Sequence, residues 1–468
     1  MRSTSFVLSL LLALLGASGA WAQDTETDLA LFSTSVSPNV VIVLDNSGSM
    51  DHVVWHPDFD PTVTPTGCAA FSNTGTYAIS WGSPGGWYNF CGRTRWLFND
   101  LAATNQSLWS GRYLNWYFSP ANDAQASEIM SATGARVCDG STFSKYLRSR
   151  ISAAKQVVMD TICELDASRD VRVGLAVFRV ESDPEGGYLR VGADDASPGQ
   201  FSALENAVSL ASAETWTPLG ETLFQVYTYF HTRDSSKSPV GADGSTDFPL
   251  YHYSTSDSGE GGLYLSNMSS VIPSPVQYEC QKNFVVIITD GEATKDDFDT
   301  DAGNQDLGFD DFDDLIGDYN PDGEVEELGD ASESALYLDD IAKFMAENDF
   351  DSDLPGDQTI DVYTIGFTTN GTANALLQKT ADQGNGIFFT SNSAEELTAA
   401  ITGAITNILE KTQSFTAATV PSARTADGGA FFTSFFLPSA KRALWEGHVR
   451  SFSIDGNGDI LDRTFEEF

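Results

Sequence analysis

The chain has 468 residues, 41% of them hydrophobic, and carries a formal net charge of −41 from 66 Asp and Glu against 25 Lys and Arg. That length has room for a large core and more than one domain, and the charge argues against nucleic acid as a partner, because phosphate binding needs a basic face. The five cysteines (Cys68, Cys91, Cys138, Cys163, Cys280) show no C-x-x-C spacing, which speaks against a zinc or redox motif.

Residues 1–22 read as a signal peptide, with Arg2 as the positive start, an apolar run at 6–15 and a small-x-small site at Ala20-Trp21-Ala22. The run is too short to span a bilayer, and no later apolar stretch is longer. The expectation is an exported chain without a transmembrane anchor of its own. In an oxidising compartment most cysteines should pair, with one left over.

The next element is NVVIVLDNSGSM at 39–50. A β-branched apolar strand empties into Asp45-x-Ser47-x-Ser49, three oxygen ligands on one tight loop. Hard cations, Mg²⁺ above all, take such oxygens in near-octahedral array. Gly48 lets the backbone turn sharply enough to aim them together. Taken alone, the same residues make a turn held by Asx and Ser bonds.

Residues 51–143 are rich in Trp, Tyr, Phe, Gly and Asn, with little periodicity, and read as an insertion. Its aromatics either pack a loop-built subdomain or form a contact surface. From 145 onward helix and strand alternate. The spacing predicts helices at 145–165, 201–211, 219–230, 334–347, 373–382 and 394–411, and strands at 171–180, 284–289, 360–367 and 386–390. Ser393 with Glu396 three residues on forms a capping box for the last helix. Alternation of this kind predicts an α/β fold, a doubly wound and mostly parallel sheet with helices on both faces. Residues 232–279 are a second polar insertion, and 294–333 an acidic loop. Residues 296–353 hold 22 acids and one Lys, either a solvated face or a place where carboxylates hold calcium. Residues 413–468 alternate apolar and polar and read as antiparallel β-structure, too short for a stable sheet domain. The expectation is a truncated chain.

In open α/β sheets ligands gather at the carboxyl ends of the strands, near the switch in strand order. Asp45, Ser47 and Ser49 follow the first strand. Asp290 follows the buried strand at 284–289, and Thr217 lies just before the helix at 219–230. Five oxygen-bearing side chains from three loops are therefore expected on one edge.

This set resembles the metal-ion-dependent adhesion site of von Willebrand factor A domains. DNSGSM at 45–50, TPLGETL at 217–223 and TDGE at 289–292 match that family's three segments in order. The resemblance implies that Ser47, Ser49 and Thr217 coordinate Mg²⁺ (or Mn²⁺ or Ca²⁺) directly, and Asp45 and Asp290 directly or through water. An acidic residue of a protein partner or surface would fill the remaining position. YLDDIAKFMAENDF (337–350), QTIDVYTIGF (358–367), ALLQKTADQGNGIFFTSNSAEELTAAI (375–401) and ALWEGHVRSFSIDGNGDI (443–460) further resemble the PilC/PilY family of type IV pilus tip and biogenesis proteins. That implies an A domain at 23–412 followed at 413–468 by the start of a β-propeller. It also implies a surface or pilus location reached through the periplasm, or secretion, and pilus components as partners. The family's roles are attachment, pilus assembly and twitching motility; most of its propeller is missing here.

Asp318-x-Asn320-x-Asp322-Gly323 has the first half of an EF-hand-type calcium loop, but Gly329 stands where a bidentate Glu is wanted. Asp455-x-Asn457-x-Asp459 is better explained as a hairpin turn. The helix through Cys163 runs away from the metal edge and Cys280 precedes the strand at 284–289, so a Cys163–Cys280 disulfide is expected at the lower end of the sheet. Cys68 and Cys91 are expected to pair within the insertion. No G-x-S-x-G occurs in the mature chain and no H-E-x-x-H appears, which weighs against a hydrolase; His52 and His56 read as surface or packing residues. Two functions stay open on the sequence: ligand capture by a non-enzymatic adhesion domain, and a structural or force-bearing surface part.

Overall fold

β1 (Asn39–Leu44) is the central strand, and none of its six residues is more than 1% exposed. Each fully buried branched side chain there contributes about 1.5–3 kcal/mol relative to exposure. The computed structural model describes residues 36–231 apart from 66, 80–83, 101–105, 137–139, 169–170 and 181–185. It further describes 274–296 apart from 292, then 316, 319 and 321, then 336–412 apart from 352–353 and 370, and strands within 430–461.

After β1 and a 3-10 turn at Gly48–Asp51, the chain leaves the sheet. The insertion contains β2 (Thr76–Ile79), β3 (Gly85–Phe90), β4 (Arg93–Phe98), β5 (Ser107–Ser110), α1 (Gly111–Tyr117), α2 (Asp123–Ser131), β6 (Thr133–Ala135) and β7 (Thr142–Ser144). Its strands pair antiparallel as β2–β5, β3–β4 and β6–β7. The aromatics build a second core: Trp109, Tyr113, Trp116, Tyr117 and Phe118 are buried, with Tyr113 and Trp116 stacked at 5.5 Å between ring centres. Their polar ends are satisfied. Trp109 Nε1 donates to the Phe98 carbonyl and the Tyr117 hydroxyl to that of Trp96, both at 3.1 Å. Of the two readings open on the sequence, packing accounts for these residues; Trp87, 63% exposed, stands outside it.

The main unit continues with α3 (Arg150–Ser168), β8 (Arg172–Phe178), β9 (Gly187–Asp194), α4 (Pro198–Leu210), α5 (Leu219–His231), β10 (Asn283–Thr289), α6 (Leu338–Glu347), β11 (Ile360–Phe367), α7 (Gly371–Gln383), β12 (Phe388–Ser391) and α8 (Ala394–Thr412). The expected helix at 145–165 begins only at Arg150. The preceding residues give their backbone bonds to the insertion, Val54 N–H to the Arg148 carbonyl and Lys145 N–H to that of Ala132. The six-stranded sheet has the order β12-β11-β10-β1-β8-β9. Every neighbouring pair is parallel except β8–β9.

Helices cover both faces. β1 reaches β8 through α3 in one direction, while β10 reaches β11 and β11 reaches β12 in the other. Right-handed crossovers therefore put α3 on one face and α6 and α7 on the opposite one. Two neighbours in β11 agree. Thr364 donates its hydroxyl to the Leu377 carbonyl of α7, while the Tyr363 hydroxyl donates to Asn407 of α8, and adjacent strand residues point to opposite faces. The direction of winding reverses between β1 and β10. The crevice at their carboxyl ends is the switch point.

Residues Ser37–Ile408 form this compact unit, and the end of the chain clusters separately from it. There, β13 (Ala430–Leu437), β14 (Glu446–Ile454) and β15 (Ile460–Leu461) form an antiparallel sheet in that order. Among the described residues no helix is long and apolar enough to cross a membrane. The signal peptide at 1–22, most of the insertion at 232–279 and of the acidic loop at 294–333, and Asp318, Asn320 and Asp322 lie outside the described residues.

Cys68 and Cys91 are joined by a disulfide. The expected Cys163–Cys280 bond is not formed. Cys280 is an exposed free thiol, and Cys163, on α3, is already in a disulfide. Sharing one end of the sheet is not enough for a bond, which needs Cα atoms within about 7 Å and Cβ vectors turned toward each other.

Candidate functional site

At the end of β1, Asp45 is fully buried and both its carboxylate oxygens are engaged. Oδ1 accepts the Ser47 N–H at 2.7 Å, closing the loop into an Asx turn. Oδ2 accepts the Thr289 hydroxyl at 2.5 Å and the Asp290 N–H at 3.3 Å, tying the ends of β1 and β10 together. Burial, and then the charge of Asp290, push the Asp45 carboxyl up from its ordinary 3.8 to about 6.

The two serines face each other, Ser47 Oγ to Ser49 Oγ at 2.8 Å, and Ser49 donates to Asp290 Oδ1 at 2.6 Å. Ser47, Ser49 and Asp290 thus form one continuous run of side-chain oxygens across the switch point, and Asp45 is tied to it through the Ser47 and Asp290 N–H groups. The fifth approaches from a third loop. Ser47 bridges Thr215 as parallel neighbours, and the Gly48 N–H donates to the Thr215 carbonyl at 2.8 Å. Two residues on, the Thr217 and Thr294 backbones exchange both bonds, at 3.2 and 3.1 Å. Thr217 is only 5% exposed, yet its hydroxyl makes no hydrogen bond among the described residues.

Position alone allowed Thr217 to be the cap of α5. The structure gives that task to Asp296, whose carboxylate accepts the Gly220 and Glu221 N–H groups at 2.9 and 3.0 Å. A side chain at Gly220 would meet Asp296 Oδ2 at 3.3 Å and Ile341 at 3.2 Å, so glycine permits the close approach. The Thr217 hydroxyl is left to face a cleft of about 920 Å³, whose lining includes Ser47, Ser49, Thr217, Gly291 and Thr294. Its walls bring Leu108 from the insertion together with Val180, Ala213 and Trp216, the last 43% exposed. Asp45 and Asp290 sit behind the serines rather than on the cleft surface.

One participant was not expected from the sequence. Arg150 Nη1 donates to Asp290 Oδ2 at 2.6 Å, with both side chains buried. The only sequence signal for it was a basic residue inside the helix that follows the insertion. His52 is next to this pair in its electrostatics: burial, and then Arg150, lower its imidazole to about 3. Neither serine is hydrogen-bonded to a histidine among the described residues. His56 is buried against Trp116 and Tyr146, a packing residue.

The donor set fits a hard divalent cation. It is all oxygen, three of its members are hydroxyls, and two carboxylates supply balancing charge. The close hydroxyl–hydroxyl and hydroxyl–carboxylate contacts are the ones a cation would replace, and Thr217 supplies an uncommitted oxygen. Asp45, with both oxygens engaged behind the serines, would orient the loop and act from the outer shell.

No protein-family model matches the chain, and no curated protein matches it. Similar solved structures include the pilus adhesin SpaC from Lactobacillus rhamnosus GG, at 13% identity over 91% of this chain and 37% of that one, with a TM-score of 0.36. The PilB minor pilin from Streptococcus sanguinis is 11% identical over 81% of this chain and 63% of its own, with a TM-score of 0.34. A point mutant of that pilin gives 12% identity, 80% and 61% coverage, and a TM-score of 0.36. The chain therefore spans 37% to 63% of the length of these proteins. Likeness at this level carries no argument about what this chain does.

Proposed function

We propose that this chain is an exported, non-catalytic adhesion domain of the von Willebrand factor A type. In this reading Ser47, Ser49 and Thr217 hold a Mg²⁺ or Mn²⁺ ion, with Asp45 and Asp290 behind them, and the ion captures an acidic side chain of a protein partner or surface. The observation that carries the reading is the run from Ser47 through Ser49 to Asp290, with the unpaired Thr217 hydroxyl on the facing wall of the same cleft. Among the described residues neither serine is hydrogen-bonded to a histidine, and the Asp290 carboxylate beside Ser49 is itself tied to Arg150, whereas hydroxyl oxygens beside carboxylates are adequate ligands for a hard cation. The pilus assignment rests on the sequence segments that resemble the PilC/PilY family, and it makes pilus components, minor pilins among them, the partners to test.

Calorimetric titration of the full chain with Mg²⁺, Mn²⁺ and Ca²⁺ tests the metal. Saturable binding at one site, lost in Asp45→Ala, is expected; no binding of any of the three sinks the reading. In cells that make the protein, Asp45→Ala separates ligand capture from assembly. Lost attachment with an unchanged number of pili supports capture, whereas lost pili supports a structural part.

A further inference from the structure

The segment that brings Thr217 to the cleft is extended, and its side chains alternate. Thr215 and Thr217 are buried, whereas Glu214 and Trp216 are exposed. The backbone is held on both sides: the Thr215 carbonyl accepts the Gly48 N–H, and Thr217 exchanges both bonds with Thr294. The Thr215 hydroxyl, donating to the Arg179 carbonyl, fixes which side chains turn inward. Residues two apart in an extended chain share a face, so Glu214 and Trp216 stand side by side, and both line the cleft. An indole left 43% exposed on so constrained a backbone forgoes burial that a looser loop would let it find. Asp51, at the end of the turn after β1, puts a second carboxylate on the cleft wall. Among the described residues that line the cleft, Asp51 and Glu214 are the charged ones, and no Lys or Arg lines it.

We infer that the acidic residue captured at the ion is accompanied by a basic one, a Lys or Arg of the same partner that lies on the Trp216 indole beside Glu214. The inference rests on the metal reading above, which supplies the place of the acid. The buried Thr217 hydroxyl, with no bond among the described residues and turned to the same cleft, marks the cleft as a place that receives a ligand. The face of an indole attracts a cation, and a carboxylate beside it adds charge of the right sign. An apolar side chain could cover the indole, but it would strip water from Glu214 and return nothing. A second acid would meet two like charges on the walls, so a polyacidic surface is disfavoured. Ser47 and Thr215 are bridged as neighbouring strands, about 5 Å apart, and Trp216 is one residue further on. In an extended ligand the acid and the base therefore stand within about three residues of each other.

The test titrates short capped peptides against the full-length chain in saturating Mn²⁺. Each holds one Asp and one variable residue (Lys, Arg, Gln, norleucine or a second Asp), in either order and separated by none to about three Ala. At the best spacing Lys and Arg are expected to bind about tenfold more tightly than Gln, with the second Asp weakest. Trp216→Ala and Glu214→Gln should each cut that preference to about threefold, and the double variant should abolish it. The preference is a ratio within one protein, so a general loss of stability or of metal affinity does not imitate it. Equal binding of Lys and Gln, a preference for norleucine, a preference that survives in the double variant, or no binding of any peptide overturns the inference. A parent that binds no Mn²⁺ sinks the metal reading first, and the basic subsite is then read separately in EDTA. There a cationic nitroxide should quench the Trp216 share of the fluorescence, taken as parent minus Trp216→Phe, about threefold more than an anionic one. Equal quenching by the two overturns the subsite and leaves the metal reading untouched.

Discussion

β1 begins and ends in polar clusters of opposite character. At its start, Asn39 donates to the Asn283 side chain at 2.9 Å and accepts from Arg172 at 2.7 Å, while Gln281 donates to the Ser37 carbonyl at 2.8 Å. Arg172 also faces Asp194 and Asp195, both exposed. These amides are neutral, and the one buried charge has its partners in water, so the cluster is complete within the protein. At the other end of the same strand two buried carboxylates have one buried guanidinium between them, Arg150 on Asp290, and the other carboxylate, Asp45, is pushed up to about 6. A buried polar network that is satisfied rigidifies a fold, whereas one left under electrostatic strain marks a site that awaits something. The two ends are separated by a six-residue strand, so they share backbone, burial and packing. What differs is charge, and that difference is the physical argument for function at one end only.

The largest expected effect breaks the charged end. Asp45→Asn keeps an oxygen for the Ser47 N–H but removes the negative charge. Mn²⁺ affinity should fall about a hundredfold by calorimetry. The metal-free protein should become more stable than the parent at neutral pH, because the cost of burying a charge, and then the repulsion by Asp290, is gone. Destabilisation of the metal-free variant would mean that the carboxylate serves the fold rather than the site.

The same residue predicts a pH dependence. The folded state of Asp45 titrates near 6 and the unfolded state near the ordinary 3.8. Between these values the native protein binds more protons than the unfolded chain, so the contribution of Asp45 is fully present below about pH 4 and is lost as pH rises through about 6. The metal-free parent should lose about 3 kcal/mol across that window relative to Asp45→Asn. Urea denaturation in EDTA at several pH values measures the difference. Parallel profiles for the two proteins would remove the strain from the argument.

Much of this architecture was readable before any coordinates. β1 and β10 are unbroken apolar runs, and a run that ends in Asp admits few readings, so Asp45 and Asp290 fell on one edge from order alone. The local rule failed wherever a partner came from elsewhere in the chain. β9 went unread because an antiparallel edge strand is defined by its pairing with β8, and its buried Arg190 spoils the apolar pattern. Thr217 lines the cleft with the two serines, but the helix-cap task that its position also allowed falls to Asp296, whose position depends on a loop that returns from β10. Arg150 stands on a helix whose start is set by how the insertion closes, and no local signal records that. The disulfide failed for a related reason, since topology gives an end of the sheet but not a side-chain direction.

At the neutral end, Arg172→Met leaves Asn39 Oδ1 with only the Gln281 amide, at 3.4 Å, among the described residues, and takes away the donor that the Pro275 carbonyl accepts from. A loss of about 2 kcal/mol is expected from urea denaturation, in the range for an orphaned buried acceptor, with Mn²⁺ affinity unchanged. A shift in Mn²⁺ affinity would show that the two ends of β1 communicate, and the contrast between a structural end and a functional one would fail.

The smallest expected effect also lies at the neutral end. Cys280 is exposed in the turn before β10, and no bond ties it to α3. A disulfide closing a loop of the length once expected here would contribute several kcal/mol through the unfolded chain, so its presence or absence is easy to read. Cys280→Ser should change the stability of the oxidised protein by no more than a surface substitution does, about 0.5 kcal/mol or less by urea denaturation. Iodoacetamide applied to the folded, unreduced protein should label the peptide that carries Cys280 and not the one that carries Cys163. Labelling at Cys163 instead, with a large drop in stability for Cys280→Ser, would restore the bridge beneath the sheet and make the lower end of β1 a covalently closed one.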